Sequence, residues 1–455
     1  MDTSTPQPVP PGEAVGVSEL TTPGTDGLMI DDLVKGYPNG APPRRLKDIG
    51  QAGWSVLGED VPFPVAVLKA SAIAHNSRWM QRFVGLSGAC ISPHGKTTMA
   101  PQLFHRQLAD GAWGITVATA DQIRVCRAHG IDRVLLANQL VSRQGIAYVC
   151  NELARCPDFE FYSLVDSPAG VARLADGARA CGLTRPLTVL IEIGLPGGRT
   201  GCRGDDDLAA VARAVGDAAP YVSLAGIEGY EGQVEGRDSA DTEDRVARYL
   251  DRLAGAVRRG LGEGWFAGGP VIVSAGGSTY YDMVVDRLAG DRTLGEVRVI
   301  TRSGCYLTQD SGQYRRSFAR LLERSGTARE LALDMGEGLQ SALEVWAQVQ
   351  SRPEPGLVIC TAGKRDLSFD IELPVPLAWY RSGHSTVPEP FSGAARVRQL
   401  SDQHAHVDVA ADSPLAVGDL VAFGISHPCT TFDRWQMLYV VDDAYGITGA
   451  VRTFF

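Results

Sequence analysis

The chain has 455 residues, of which 44% are hydrophobic and 21% are charged, and its formal net charge is -10 at pH 7. This composition is typical of a globular protein with room for two domains. The negative charge provides no broad basic face for nucleic acid or anionic lipid, and no apolar run of about 18 residues could span a bilayer. We therefore expect a protein of small-molecule chemistry, with neither nucleic acid nor membrane as a partner.

The N-terminal segment is rich in Pro, Gly, Ser and Thr and lacks the basic and apolar regions of a secretory signal, so residues 1–30 are interpreted as a flexible leader. The nine cysteines are scattered and include neither a CxxC pair nor a zinc-finger spacing. This usage favours reduced thiols in a cytoplasmic protein.

From about residue 85, short apolar runs alternate with segments of helical periodicity, a pattern typical of βαβ units. Eight strand and helix pairs predict an α/β fold built on a (β/α)8 barrel, whereas a doubly wound open sheet, the alternative, usually needs fewer repeats. The eight candidate strands are 89–94, 113–119, 133–138, 159–165, 187–194, 222–230, 270–276 and 297–304.

After about residue 330 the pattern changes to short strands separated by turn residues, which predicts a C-terminal all-β domain. We expect the barrel at 31–330 and the β domain at 331–455, and leave open whether 31–60 packs on the β domain. Barrel sites open at the carboxyl ends of the strands, and clefts form at domain junctions. A site shared by the two domains is therefore plausible.

Lys96 follows the first barrel strand in the segment SPHGKTTMAP, at the rim where barrels place catalytic groups. A lysine in such a loop is usually only a solvated surface residue. The flanking Pro93, His94 and Gly95 indicate a tight and specific loop, which favours a functional lysine.

Two loops that follow strands seven and eight have the features of a phosphate site. The segment VSAGGSTYYD combines Gly276 and Gly277 with the hydroxyls of Ser278 and Thr279 and with a helix expected to begin near Thr279. Gly304 in the next loop is placed to complete the site, since barrels often hold phosphate there. A plain glycine turn with an N-cap is the alternative.

Two further segments carry candidate ligands. GLPGGRTGCR places Arg199 among glycines after the fifth strand, where it could bind a carboxylate, a phosphate or a ring nitrogen, or form a surface salt bridge. GISHPCTTFD places His427 and Cys429 on either side of Pro428. Imidazole and thiolate are ligands that Zn2+ prefers, but a core cysteine beside an ordinary loop histidine is the alternative.

The segments SPHGKTTMAP, GLPGGRTGCR, GYEGQ, SAGGSTYYD, LSDQHAHV and SHPCTTFD, in this order, resemble the D-serine dehydratase and D-threonine aldolase family. These are fold-type III pyridoxal-phosphate enzymes with an alanine-racemase-type N-terminal barrel. The resemblance covers roughly residues 60–455 and is greatest to the branch described as amino-acid deaminases. Ser92 and Thr98-Met99 depart from the commonest pattern around the lysine, which leaves substrate recognition there open.

The resemblance implies a role for each matching residue. Lys96 would bind pyridoxal phosphate covalently and act as the base, Arg199 would face the pyridine nitrogen, and His427 and Cys429 would hold Zn2+ beside the substrate hydroxyl. It also implies a homodimer. Around the cofactor face and phosphate it places Tyr230, Gly276, Gly277, Ser278, Thr279, Gly304, Cys305 and Tyr306.

The resemblance therefore implies a lyase that eliminates water from a small D-3-hydroxy amino acid such as D-serine, giving a 2-oxo acid and ammonia. The alternative is an aldolase that yields glycine and an aldehyde; such members tend to have an aspartate at the position of Cys429 and to use Mn2+ or Mg2+. A racemase, with Tyr306 or Tyr380 as a second acid or base, and a non-catalytic cofactor-binding protein are further alternatives. His94, His404 and His406 are candidates for supporting or base roles.

Overall fold

The computed structural model describes residues 22, 24–336, 338–391 and 394–455, so residues 1–21 and 23 of the expected leader lie outside the described residues. The helices of the described residues are α1 Ala70–Ser87, α2 Pro101–Ala109, α3 Ala120–Ala128, α4 Arg143–Arg155, α5 Pro168–Ala180, α6 Asp205–Asp217, α7 Ser239–Glu263, α8 Tyr281–Val284, α9 Gln313–Glu323, α10 Thr327–Met335 and α11 Pro428–Phe432.

The strands of the same residues are β1 Met29–Ile30, β2 Arg44–Arg45, β3 Val65–Lys69, β4 Cys90–Ile91, β5 Ile115–Val117, β6 Arg133–Gln139, β7 Glu160–Val165, β8 Leu187–Ile193, β9 Val222–Gly229, β10 Val271–Ser274, β11 Val297–Thr301, β12 Leu343–Glu354, β13 Leu357–Cys360, β14 Val375–Tyr380, β15 Glu389–Pro390, β16 Arg396–Leu400, β17 Ala405–Asp408, β18 Leu420–Gly424, β19 Met437–Val441 and β20 Ile447–Arg452.

Strands β4 to β11 form a parallel sheet in the order β4-β11-β10-β9-β8-β7-β6-β5. An isolated parallel bridge between His94 and Thr116 joins the two remaining edges, so the sheet closes into a barrel. Side chains from five of its strands pack together inside it, as barrel interiors require; they are Leu135, Leu164, Leu190, Ile272 and Ile300. The predicted barrel and its eight strands are confirmed.

Amphipathic helices cover the outside of the barrel. In α7 the buried residues Val246, Leu250, Leu253 and Val257 recur every three or four positions and form one apolar stripe. The side chain of Asp238 accepts the amide of Asp241 and caps the start of the helix. These local rules set the helices against the sheet and leave the loops at the carboxyl ends of the strands free for a site.

The C-terminal strands build a second, largely antiparallel sheet, as the sequence predicted for an all-β domain. Strand β3, which precedes the barrel, pairs with β12 and β19 of this sheet. The segment before β3 packs there too, since Leu46 and Ile49 share a core with Trp346 and Tyr439. The segment 46–69 and the C-terminal strands therefore share one domain, while the predicted boundary at residue 330 stays a prediction.

In the described part of the chain, no helix is both long and apolar enough to cross a membrane.

Candidate active site

Lys96 lies on a short helical turn, Gly95–Thr97, at the carboxyl end of β4. The turn is tightly packed, because a Cβ atom on Gly95 would lie 2.8 Å from Cγ2 of Ile115 and 2.9 Å from Cζ of Phe104. The lysine side chain itself is exposed. A fixed backbone thus presents the lysine side chain at the barrel rim, where the sequence predicted it.

His94 precedes this turn and is held neutral. Burial, with the positive charges of Lys96 and Arg302 nearby, lowers the pKa of its imidazole well below 6.5. Its Nδ1 atom is buried and makes no hydrogen bond to any described residue. Because buried polar atoms are nearly always paired, this atom is suited to contact a bound molecule.

The glycine loop after β10 is only partly available to a phosphate. The carboxylate of Glu231 accepts the amides of Gly276 at 2.9 Å and Gly277 at 2.8 Å. The amides of Ser278, Thr279 and Gly304 make no hydrogen bond to a described residue. These three amides therefore fit a phosphate best, and helix α8 begins at Tyr281, two residues after the predicted start.

The loops approach one another too closely for side chains on their glycines. A Cβ atom on Gly304 would lie 2.6 Å from the carbonyl oxygen of His94 and 2.7 Å from Oγ1 of Thr97. A Cβ atom on Gly277 would lie 2.8 Å from Cε2 of Tyr230. Backbone without side chains thus lines a narrow space, here called the cradle, beside the lysine turn. A flat phosphorylated cofactor would need such a space.

Arg199 and Tyr230 form one wall beside this cradle. The Arg199 guanidinium carbon lies 5.6 Å from the centre of the Tyr230 ring, a cation–π contact, and the side chain of Arg199 is exposed. Burial raises the pKa of the Tyr230 hydroxyl, which therefore stays protonated. The hydroxyl of Tyr306 is buried beside Gln107 of α2, and this burial raises its pKa.

The loop that carries His427 and Cys429 leaves β18 and enters α11, with Pro428 at the first helical position. The Cys429 sulfur lies 3.5 Å from Oγ1 of Thr97, although 332 positions separate the two residues. It also lies 4.0 Å from the sulfur of Cys305. The β domain thus brings Cys429, one of its two candidate metal ligands, into contact with the lysine turn of the barrel.

Asp370, which has no sequence motif, orients the histidine. Its carboxylate lies 2.6 Å from Nδ1 of His427 and accepts the hydroxyl of Thr430 at 2.6 Å. Of the two ring nitrogens of His427, only Nε2 is then left for a metal, which is the usual arrangement of metal-bound histidine. Such a partner could not be found from the sequence, because the contact spans 57 positions without any regular spacing.

The two candidate ligands polarise each other. Burial alone lowers the pKa of His427, but its hydrogen bonds to Cys429 and Asp370 raise it to about 9. Hydrogen bonds from Cys305 and His427 hold the pKa of Cys429 well below 9.0. These hydrogen bonds favour the thiolate form, which is the form of cysteine that metals bind.

No group of three or more His, Cys, Asp or Glu side chains within the described ranges is arranged to hold a metal ion. His427 and Cys429 supply two protein ligands, fewer than the three that catalytic zinc sites usually have, so water or substrate would have to occupy the other positions. The remaining histidine candidates lie elsewhere: His404 and His406 belong to the hairpin of β16 and β17, where Nε2 of His406 lies 3.4 Å from Oγ of Ser401. Tyr380 packs against the core formed by the N-terminal segment and the β domain.

A buried ion pair under the rim was also missed by sequence reasoning. Arg302 lies 2.6 Å from Glu228, and both side chains are almost fully buried. Arg302 also donates to the hydroxyl of Ser274 at 2.6 Å and to the carbonyl of Gly229 at 3.0 Å. Burial raises the pKa of Glu228 to about 7. This pair fixes the ends of β9, β10 and β11 from which the glycine loops leave.

Comparison with known proteins matches both domains in order. Residues 68–279 match the family model "Alanine racemase, N-terminal domain", and residues 342–441 match "Putative serine dehydratase domain". A D-threonine aldolase from an Arthrobacter species is 25% identical over 385 residues, 84% of this chain and 90% of the relative. A D-threo-3-hydroxyaspartate dehydratase from a Delftia species is 29% identical over 231 residues, 50% of this chain and 58% of the relative.

The fold is also found among solved structures. The crystal structure of D-threonine aldolase from Filomicrobium marinum superimposes with a TM-score of 0.68 at 23% identity, covering 88% of this chain and 95% of that one. The two domains therefore have the same overall arrangement in both proteins.

Proposed function

Since the chain belongs to the D-serine dehydratase and D-threonine aldolase family of fold-type III pyridoxal-phosphate enzymes and is a lyase, we propose that it eliminates water from a D-3-hydroxy amino acid such as D-serine. The products are a 2-oxo acid and ammonia. The observation that carries this choice is the soft ligand pair, His427 and Cys429, placed against the lysine turn.

Pyridoxal phosphate, when bound, makes the Cα proton of an attached amino acid acidic. Lys96 would hold the cofactor and, once displaced by the substrate, its amine would take the Cα proton. The amides of Ser278, Thr279 and Gly304 would hold the phosphate, while Arg199 and Tyr230 would lie against the ring. Neutral His94, beneath the turn, adds no charge that would repel the lysine.

Zn2+, when bound, would act as a Lewis acid on the β-hydroxyl, which is otherwise a poor leaving group. His427 and Cys429 would hold the metal, and Asp370 would keep the imidazole in the required orientation. A thiolate ligand favours Zn2+ over the harder Mn2+ and Mg2+. This preference supports elimination.

Aldol cleavage of a D-3-hydroxy amino acid to glycine and an aldehyde is the second candidate. It is supported by the name of the Arthrobacter relative, which matches 84% of this chain. The same lysine and metal pair would serve, but the base would remove the hydroxyl proton rather than the Cα proton. We further expect a cytoplasmic homodimer, which light scattering of the purified protein would test for assembly.

The test is product formation by the purified protein with added pyridoxal phosphate, with and without a chelator. We expect pyruvate from D-serine, lost with chelator and restored by Zn2+. Glycine from D-threonine without pyruvate from D-serine would replace elimination by aldol cleavage. If neither pyruvate nor glycine forms, both candidate functions are contradicted.

Two variants test whether the activity depends on Lys96 and Cys429. Lys96→Ala should lower the rate by about 10²- to 10⁴-fold, because it removes the base, and should abolish the visible absorption of lysine-bound cofactor. Cys429→Ser should lose zinc-dependent pyruvate formation, whereas Cys181→Ser, at an exposed and distant cysteine, should not. Full activity of Cys429→Ser in metal-free buffer would refute the metal role.

A further inference from the structure

The thiols of Cys305 and Cys429 face each other across the junction of the two domains. Their sulfur atoms lie 4.0 Å apart, although 124 positions separate the residues in the chain. Cys305 follows β11 of the barrel and Cys429 lies in α11 of the β domain. A bond between them would therefore be a covalent link between domains.

Both sulfurs lie close to the hydroxyl of Thr97. Oγ1 of Thr97 is 3.9 Å from the Cys305 sulfur and 3.5 Å from the Cys429 sulfur. Cys305 is only 3% exposed, whereas Cys429 is partly exposed. A small oxidant from solvent therefore reaches Cys429 first, and Cys305 is the thiol beside it.

The metal site does not account for Cys305. Within the described ranges, no set of three or more His, Cys, Asp or Glu side chains is arranged to hold a metal, so Cys305 does not add a third ligand to His427 and Cys429. A disulfide needs the sulfurs at about 2.05 Å, which requires an approach of roughly 2 Å by rotation about the Cα–Cβ bonds. The two sulfurs must therefore close a gap of roughly 2 Å before they can bond.

We propose that Cys305 and Cys429 form a reversible disulfide when the enzyme meets hydrogen peroxide, and that this bond switches the site off. The link joins barrel to β domain and withdraws the Cys429 sulfur from the metal. Formation of the disulfide is independent of the proposed function. Only the expected loss of metal binding rests on the proposed function.

The chemistry balances in two steps. Peroxide oxidises the Cys429 thiol to a sulfenic acid, as its O–O bond breaks and one water leaves. The Cys305 thiol then attacks the sulfenic sulfur, the S–O bond breaks, the S–S bond forms and a second water leaves. One peroxide is thereby reduced to two waters, and an added dithiol reverses the change by exchange.

The test is peptide mapping of the holoenzyme after peroxide treatment and blocking of free thiols. Trypsin should release Cys305 in the peptide 303–315 and Cys429 in the peptide 399–434, each with a single cysteine. We expect these two peptides joined at 2 mass units below their sum, and separated again by dithiothreitol. Repeating the wild-type map in a Cys181→Ser background removes a second thiol contact, between Cys150 and Cys181.

The outcomes separate the proposals. Cys429 recovered as sulfenic or sulfinic acid without the linked peptide would overturn the disulfide, and so would a link that survives Cys305→Ser. The wild-type map needs no variant to fold. Zn2+ at about 100-fold above its Kd should lower the initial rate of link formation by roughly 100-fold, since only about 1% of the sites remain metal-free. An undiminished link with Zn2+ present would instead contradict the metal role of Cys429 and leave the disulfide standing.

Discussion

Asp370 is the residue on which the orientation of the candidate metal ligand depends. Its carboxylate holds Nδ1 of His427 at 2.6 Å and is itself fixed by the hydroxyl of Thr430. An imidazole held in this way keeps one tautomer and one ring orientation. Residues of this kind decide metal affinity without touching the metal.

We expect Asp370→Ala to lower zinc affinity by about 10- to 100-fold, because the imidazole loses its partner. Competition with a chromophoric chelator measures this without any substrate. Glu372→Ala is the matched control: Glu372 lies two positions away and forms an exposed ion pair with Arg316, so its loss should leave zinc affinity unchanged. Equal affinities in the two variants would contradict the role of Asp370.

Glu228 should make stability depend on pH. Its pKa is raised by burial from 4.5 to about 7, so between these values the folded state binds a proton that the unfolded state has released. Its contribution to the free energy of unfolding is therefore full below pH 4.5 and is lost as the pH rises through about 7.

Urea unfolding of the wild type and of Glu228→Gln at about pH 5 and about pH 7.5 tests this dependence. The stability of the variant relative to the wild type should rise between the two values, by on the order of 1–3 kcal/mol, because glutamine does not titrate. A difference that stays constant with pH would mean that Glu228 is ionised throughout.

The turn after β4 and the loop after β11 work as one element, because they touch through bare backbone. Gly304 is the point of contact, where a Cβ atom would lie 2.6 Å from the His94 carbonyl oxygen. Neither loop can shift alone without moving the other. The lysine and the amides proposed to bind phosphate are therefore positioned together.

Gly304→Ala should push the lysine turn away from the phosphate loop. Overpacking of this kind costs about 1–3 kcal/mol, the equivalent of roughly 5- to 150-fold in cofactor affinity. Titration of the apoenzyme with pyridoxal phosphate measures the change. Gly85→Ala in α1, where a Cβ atom would meet nothing within 4 Å, should leave the affinity unchanged.

At the scale of the whole molecule, the N-terminal and C-terminal parts of the described chain pack against each other. Gly50 of the N-terminal segment packs on β20, where a Cβ atom would lie 2.1 Å from the carbonyl oxygen of Thr448. Strand β3 then completes the sheet of the β domain before the chain enters the barrel. The loop of His427 and Cys429 thus belongs to a domain that is built from both the N-terminal and the C-terminal parts of the described chain.

Gly50→Ala should lower the free energy of unfolding by about 1–3 kcal/mol, because the backbone of β20 must move away. Gly216→Ala in α6, where a Cβ atom would meet nothing within 4 Å, should instead raise it by about 0.5–1 kcal/mol through helix propensity. Denaturant unfolding compares the two variants. Gly50→Ala as stable as the wild type would mean that the N-terminal segment does not support the β domain.

The barrel strands could be predicted because strands of a parallel sheet are buried on both faces and read as apolar runs. Strand β3 was missed, since nothing local marks the segment Val65–Lys69 as a partner of strands more than 270 positions later. Strand β14 was missed as well, because Pro376 within it argues against a strand.

By itself, the sequence determined the lysine at the barrel rim, the glycine loops after the last strands and the paired imidazole and thiol, because turn chemistry and hydrophobic periodicity act over a few residues. Only the tertiary structure decided that Cys429 meets Thr97 and Cys305, that Glu231 occupies two glycine amides, and that Asp370 holds His427. Such contacts depend on how separate elements pack, and packing leaves no regular spacing in the chain.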